Sequence, residues 1–236
     1  MTDGVARWRQ IMAELEAEIA DARLAPGVRL PSEAQLAARF AVNRHTVRRA
    51  LEELSRGGLV RIEQGRGSFV ADDVLDYIVA TRTRFSEWIR RHNKEPGGEV
   101  LRLEETVATP QVAAALKLKA GGIVVLLERL GLADGRPVSL GVHHFPATRF
   151  PTLLASLQRQ STISAALAEA GVADYTRQTT RVTARMPTAR EATLLRMPRN
   201  APVLITENTN IDTGGNVVEF GIACYPTPRV QILFEP

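Results

Sequence analysis

Arg44, His45, Arg48 and Arg49 bring three guanidinium groups and an imidazole together in one short run, flanked by Asn43, Thr46 and Val47. An arginine can form paired hydrogen bonds with O6 and N7 of guanine, and a hydroxyl or a free backbone N–H can hold a phosphate oxygen. The chemistry expected of this run is therefore base reading by Arg44 and Arg48. Thr46 and the start of the helix would contact phosphate, with His45 and Arg49 beside them. Arg66, in Glu63-Gln64-Gly65-Arg66-Gly67, would lie along a phosphate backbone or enter a minor groove, where negative potential favours a guanidinium.

A second set of groups suits a small oxyanion, which needs arginines, hydroxyls or free N–H groups. Arg82, Arg84 and Ser86 form one cluster, Arg129 sits on an expected strand, and Ser161 and Thr162 open an expected helix whose N-terminus favours an anion. Arg82 and Arg84 read equally well as solvated linker residues. His143-His144 suggests a metal, but neighbours on a strand point to opposite faces and cannot readily chelate one ion. No zinc site is expected. His144, beside Phe145 and Pro146, is the one of the two that could line the oxyanion pocket, a structural hydrogen-bonded role being the stronger reading for either. Cys224 is the only cysteine, which rules out an intrachain disulfide and suits a reducing cytoplasm. No nucleophile elbow, paired-acid motif, metal-ligand spacing or dinucleotide-binding glycine fingerprint is visible, so neither an enzyme nor a cofactor is expected.

The elements that must position the first set are legible. Ser32 precedes an Ala/Leu-rich run and Gln35 follows three residues later, the pattern of a reciprocal cap, so a helix is expected over 33–40. Asn43 caps a second helix in which Val47, Ala50, Leu51 and Leu54 form a buried stripe that ends at Gly57-Gly58. Residues 59–62 and 68–70 are β-rich runs joined by a glycine turn, a wing. Residues 1–72 carry eleven arginines and ten acids, so distribution matters more than net charge: 39–49 has four arginines and no acid, whereas Glu14, Glu16, Glu18 and Asp21 sit on the first helix.

From 73 to 98 regular apolar periodicity is lost, Asp72-Asp73 precede several arginines, and Pro96-Gly97-Gly98 follows. This reads as a linker between a 1–72 domain and a 99–236 domain. Strands are expected over 100–107, 123–132, 138–145, 176–185, 203–211, 217–225 and 230–234, and helices over 110–118, 161–170 and 188–196. Turns at Asp134-Gly135 and Thr213-Gly214-Gly215 make antiparallel hairpins, so the second domain is α+β. The net charge of +4 over 236 residues suits an anionic partner without singling out DNA. Neither a signal sequence nor an apolar run of about twenty residues is present, so a cytoplasmic location is expected.

The runs G-V-R-L-P-S-E at 27–33, N-R-H-T-V-R-R-A-L at 43–51 and G-L-V-R-I-E-Q-G-R-G-S-F-V at 58–70 resemble the GntR family of bacterial repressors. The resemblance implies a winged helix-turn-helix in which Arg29, Arg44, Thr46, Arg48 and Gly67 contact operator DNA; Ser32 joins this set. Asn43 replaces the family's usual serine and keeps its capping role. L-A-D-G-R-P-V-S-L at 132–140, H-H-F-P-A-T-R-F-P at 143–151 and V-E-F-G at 218–221 resemble the UTRA effector domain of the HutC branch. With L-D-Y at 75–77 and T-R-F-S-E at 83–87, they are most similar to that branch's phosphonate-metabolism regulators.

What this implies is an N-terminal winged helix-turn-helix followed by a mixed, largely antiparallel, chorismate-lyase-like domain. It also implies a homodimeric repressor on an inverted repeat, answering a phosphorylated or phosphonate-like effector. Similarity to sugar-phosphate sensors puts Arg84, Ser86, Arg129, Ser161 and Thr162 on the phosphate side and Glu219 and Tyr225 on the polar side, although Glu219 pairing with a nearby arginine is an open alternative. Gly131 and Gly141 replace a basic and a polar residue of the sugar-phosphate pattern. The rival readings are a lyase-like enzyme and a dimerisation module without ligand.

Overall fold

The computed structural model describes residues 6–21, 23–71 and 74–235, and the chain divides into two compact units, 1–73 and 74–236. In the first, α1 (Arg7–Ala20), α2 (Glu33–Phe40) and α3 (Arg44–Arg56) precede a hairpin of β1 (Val60–Glu63) and β2 (Gly67–Val70). Both expected caps form. Ser32 N donates to Gln35 Oε1 at 2.8 Å while Ser32 Oγ accepts from Gln35 N, and Asn43 Oδ1 accepts from Thr46 N at 2.9 Å. The turn between α2 and α3 passes through Ala41 in the left-handed region, φ 52°. Ile11, Leu15, Leu36, Val47, Ala50, Leu51, Leu54, Val60 and Val70 form one buried cluster, so each helix gives its apolar stripe to a shared core. Arg39 reaches back from α2 to Glu14 and the buried Glu18, which joins the acidic helix to the basic pair.

The second unit is a six-stranded antiparallel sheet with order β4-β5-β6-β9-β8-β7. Its strands are β4 (Pro96–Val107), β5 (Ile123–Ala133), β6 (Arg136–Pro146), β7 (Tyr175–Arg185), β8 (Val203–Asp212) and β9 (Val217–Pro226). A separate parallel pair joins β3 (Leu75–Ile78) to β10 (Val230–Leu233). Asp134 and Gly135, with φ 48° and 73°, make the tight β5–β6 turn that only left-handed conformations allow. One sheet face packs Val125, Leu127, Phe145 and Tyr225 beneath β3, α4 (Phe85–Arg91), α6 (Leu153–Arg159) and α7 (Ile163–Glu169). The other packs Val124, Leu130, Phe220 and Cys224 against α5 (Pro110–Ala115) and α8 (Ala189–Leu194). The architecture is α+β: a winged helix-turn-helix followed by a largely antiparallel domain.

The segment expected as a linker over 73–98 is built differently. Asp72 and Asp73 lie outside the described residues, but from 74 onward the chain belongs to the second unit, forming β3, α4 and the start of β4. The cause is non-local. Leu75 and Tyr77 are buried against Trp88, Tyr225 and Val230, partners that no local periodicity reveals.

Candidate functional site

On the first unit, Arg44, His45, Arg48 and Arg49 are exposed on the N-terminal half of α3, with Thr46 half-buried between them. Their partners differ. Arg48 makes a two-pronged ion pair with Glu33 of α2, Nε to Oε1 at 3.0 Å and a terminal nitrogen to Oε2 at 2.8 Å, while the Arg49 guanidinium stands 4.7 Å over the Trp8 ring. Thr46 Oγ1 donates to Asn43 Oδ1 at 2.9 Å, and Ser32 is occupied by its own cap. On the wing, Arg66 donates to the buried Glu63 at 2.5 Å. Gly67, φ 111°, lies so close to Arg29 that a methyl carbon there would sit 3.0 Å from Nε. Arg29, Arg44, Arg48 and Arg66 thus share one unit with a helix start and a wing tip, and Arg48 and Arg66 must give up an intramolecular carboxylate to engage any external acceptor.

The second unit holds a cavity of about 330 Å³. Strand pairing builds its floor, since residues opposite one another share a face. Arg129 lies opposite Gly141, and Gly141 opposite Ala223; His143 lies opposite Gly221, Gly221 opposite Asn208, and Glu219 opposite Asn210. The middle of the floor is therefore small and its margins are polar. A methyl carbon on Gly131 would fall 2.3 Å from Ser139 Oγ and 2.6 Å from the Phe85 ring, and one on Gly141 would fall 2.6 Å from His143 Nε2. Glycine leaves that volume to the Phe85 and His143 rings.

Walls come from α4, the start of α7, and β7. Arg84 donates to the Tyr175 carbonyl at 2.7 Å and stacks 3.5 Å above the Tyr175 ring, whose hydroxyl meets Ser164 Oγ at 3.0 Å. Arg177 donates to the Tyr77 hydroxyl at 2.6 Å. Arg129 has neither a hydrogen bond nor an ion pair among the described residues; its Nε is buried without a partner, and burial holds its pKa below the usual guanidinium range. Glu219 is only 5% exposed, and its oxygens accept from His143 Nδ1 at 2.5 Å and Asn210 Nδ2 at 2.7 Å. Burial alone would raise its pKa; His143, Asn210 and the Arg177 charge outweigh that and hold it below the usual carboxylate value. Arg84, Arg90, Arg129 and Arg177 face Glu87 and Glu219, so the lining is cationic.

Of the residues expected here, Arg84, Ser86, Arg129, Thr162, Glu219 and Tyr225 line this one cavity. Arg82 does not: it is exposed and paired with Asp174 at 2.5 Å. Ser161 is exposed outside the lining, and Thr162 Oγ1 caps α7 by accepting from Ala165 N at 3.1 Å. His144 is turned away, 7% exposed on the opposite face and stacked on Phe220, because the alternation of β6 gives the cavity side to His143. His143, Arg177, Asn208 and Asn210 were not anticipated. The signal was T-E-N-T-N at 206–210, where Thr206, Asn208 and Asn210 alternate on a strand and so share one buried face.

Comparison with known proteins agrees with both units. The family model of bacterial regulatory proteins, gntR family, matches residues 8–70, and that of the UTRA domain matches 91–231. An HTH-type transcriptional regulator of Rhizobium meliloti is 36% identical over 98% of this chain and 96% of its own. The probable transcriptional regulator PhnF of Escherichia coli is 32% identical over 97% and 95%. The crystal structure of PhnF from Mycobacterium smegmatis aligns with TM-score 0.66 at 26% identity, covering 96% of this chain and 98% of that one. These relatives are regulators rather than enzymes. The chain belongs to the gntR family of bacterial regulatory proteins, as a transcriptional regulator with a UTRA domain behind its winged helix-turn-helix.

Proposed function

We propose that this regulator is a cytoplasmic homodimeric repressor of phosphonate or phosphate-ester metabolism genes, released from an inverted-repeat operator by a small anionic effector. Arg129 carries the reading: a half-buried guanidinium facing the cavity, with its Nε buried and unpartnered and no acid paired to it, is suited to an entering anion. Likeness to proteins named PhnF supports the phosphonate side, as do the small floor residues Gly131 and Gly141, which replace side chains of the sugar-phosphate pattern. On the DNA side, two copies of α3 would read half-sites about one helical turn apart, with Arg29, Arg44, Arg48, Arg66 and Gly67 at the duplex.

The test has two arms. Fragments of the source genome selected by the purified protein should share an inverted repeat near genes for carbon–phosphorus or phosphate-ester metabolism. A thermal-shift panel of phosphonates, phosphate esters, inorganic phosphate and sugar phosphates should show stabilisation by the first two classes. Unchanged melting across the panel would leave a dimerisation module without effector.

A further inference from the structure

Two half-buried arginines enter the cavity without an ion pair among the described residues. Arg84 is taken by Asp174 at 3.5 Å and by the Tyr175 carbonyl, and Arg90 is exposed on α4. Arg129 and Arg177 remain, and the Nε of each is buried without a partner. They enter from opposite sides of the floor. Arg129 stands on β5 and Arg177 on β7, four strands away, which at about 4.8 Å per strand puts their backbones about 19 Å apart across the sheet. Their rows differ as well: Arg129 runs through Gly141 and Ala223 to Thr206, whereas Arg177 lies opposite Asn210, four residues farther along β8. Arg177 gives an N–H to the Tyr77 hydroxyl and feels the Glu219 charge, whereas burial alone acts on Arg129. Glu219 has both oxygens engaged by His143 and Asn210 and offers Arg177 no hydrogen bond.

The cavity, about 330 Å³, has roughly the share of ten water molecules in the liquid, more than a group the size of methylphosphonate fills. One tetrahedral head held by Arg129 therefore leaves Arg177 unmet. We infer that Arg177 forms a second acid subsite and that the effector is a two-headed anion, a phosphonate or phosphate ester on Arg129 joined by a short carbon chain to a carboxylate on Arg177. This rests on the reading that Arg129 receives the oxyanion. Gly141 and Ala223 keep the floor beside Arg129 low, which leaves the chain a path toward β7. Tyr77, whose hydroxyl accepts from Arg177 at 2.6 Å, orients the guanidinium, and its remaining terminal N–H groups form the fork that a planar carboxylate accepts in paired hydrogen bonds.

The experiment is calorimetric titration of the full-length protein with phosphonoacetate, phosphonopropionate and phosphonobutyrate, each beside its carboxamide of the same chain length. At the best length the carboxylate should bind roughly tenfold to a hundredfold more tightly than its carboxamide, the range of a charge-assisted hydrogen bond. In Arg177→Gln that ratio should fall toward one, and in Arg177→Lys it should stay above one. General damage to the cavity would weaken both members of a pair and leave their ratio alone. Phosphoglycolate, the ester counterpart of phosphonopropionate, shows which oxyanion source the site prefers. Three results overturn the second subsite and leave the anion at Arg129 standing: carboxylates no tighter than carboxamides at every length in the wild type, a ratio that survives Arg177→Gln, or aminoethylphosphonate binding more tightly than phosphonopropionate. Should Arg177→Gln fail to fold, the wild-type ratios decide. Failure of every probe, methylphosphonate included, to bind the wild type overturns the two readings together.

Discussion

At the scale of single residues, charge and its partners separate the two surfaces. Arg129 is half-buried with its Nε buried and unpartnered, so no hydrogen bond or ion pair among the described residues offsets its desolvation. Arg129→Met should therefore raise the stability of the free protein by about 1 kcal/mol while abolishing the thermal shift with methylphosphonate. Unfolding curves with and without ligand give both signs in one measurement, and loss of the shift with a parallel loss of stability would mean a merely structural arginine. Arg48 is the opposite case, a surface cation already satisfied by Glu33, so any contact it made with an operator would have to offset the loss of that pair. Arg48→Ala should cost about 1 to 3 kcal/mol on the specific operator and little on random duplex, whereas Arg66→Ala should weaken both evenly. Equal losses on both duplexes, measured by fluorescence anisotropy at one salt concentration, would remove Arg48 from base reading.

At the scale of elements, short helices depend on their ends. In α8 the Thr188 hydroxyl accepts from Glu191 N at 3.2 Å, the Glu191 carboxylate accepts from Thr188 N at 2.8 Å, and Arg185 grips the same carboxylate at 2.6 and 2.8 Å. The Arg185 bond, ahead of the backbone bond from Thr188, brings the Glu191 pKa from 4.5 to about 2 against the opposing effect of burial. A carboxyl whose folded pKa lies below its unfolded one stabilises above the unfolded value and loses that contribution as pH falls toward the folded one. Glu191→Gln should thus cost about 1 kcal/mol at neutral pH, and the gap to wild type should close between about pH 4.5 and about 2 in denaturant melts. Such end signals are local, which is why α2, α3, the wing and the β5–β6 hairpin could be read from Ser32, Asn43, Gly65 and Asp134-Gly135 alone. β3, α4 and α6 could not, since L-D-Y-I at 75–78 becomes a strand only by pairing with Val230–Leu233, more than 150 residues away. The cavity divided the same way. Arg84, Arg129 and Glu219 carry their chemistry in their type, but choosing His143 over His144 required the phase of β6, which depends on its register with β9.

For the whole molecule, the question is how a ligand in one compact unit changes what the other does on DNA. Residue 74 opens the second unit; Tyr77 already lines the cavity, and by residue 85 the chain has become the helix that carries Phe85 and Ser86 into it. The cavity lining therefore begins within a few residues of the boundary, on a segment held by β10 rather than free as a linker. If effector and operator prefer different arrangements of the dimer, the coupling is about 1 to 3 kcal/mol and has to be reciprocal: the factor by which methylphosphonate weakens operator binding equals that by which operator weakens methylphosphonate binding. Inserting Gly-Ser-Gly-Ser between residues 73 and 74 leaves each unit's contacts intact. Each ligand alone should therefore bind the insertion variant within about twofold of wild type, while the coupling factor falls toward one because strain can no longer pass along the chain. Titrating each ligand in the absence and in saturating presence of the other, for both proteins, closes the cycle. A coupling factor that survives the insertion would place the switch in the association of protomers rather than in the covalent path; equal factors around the cycle check that every titration reached equilibrium.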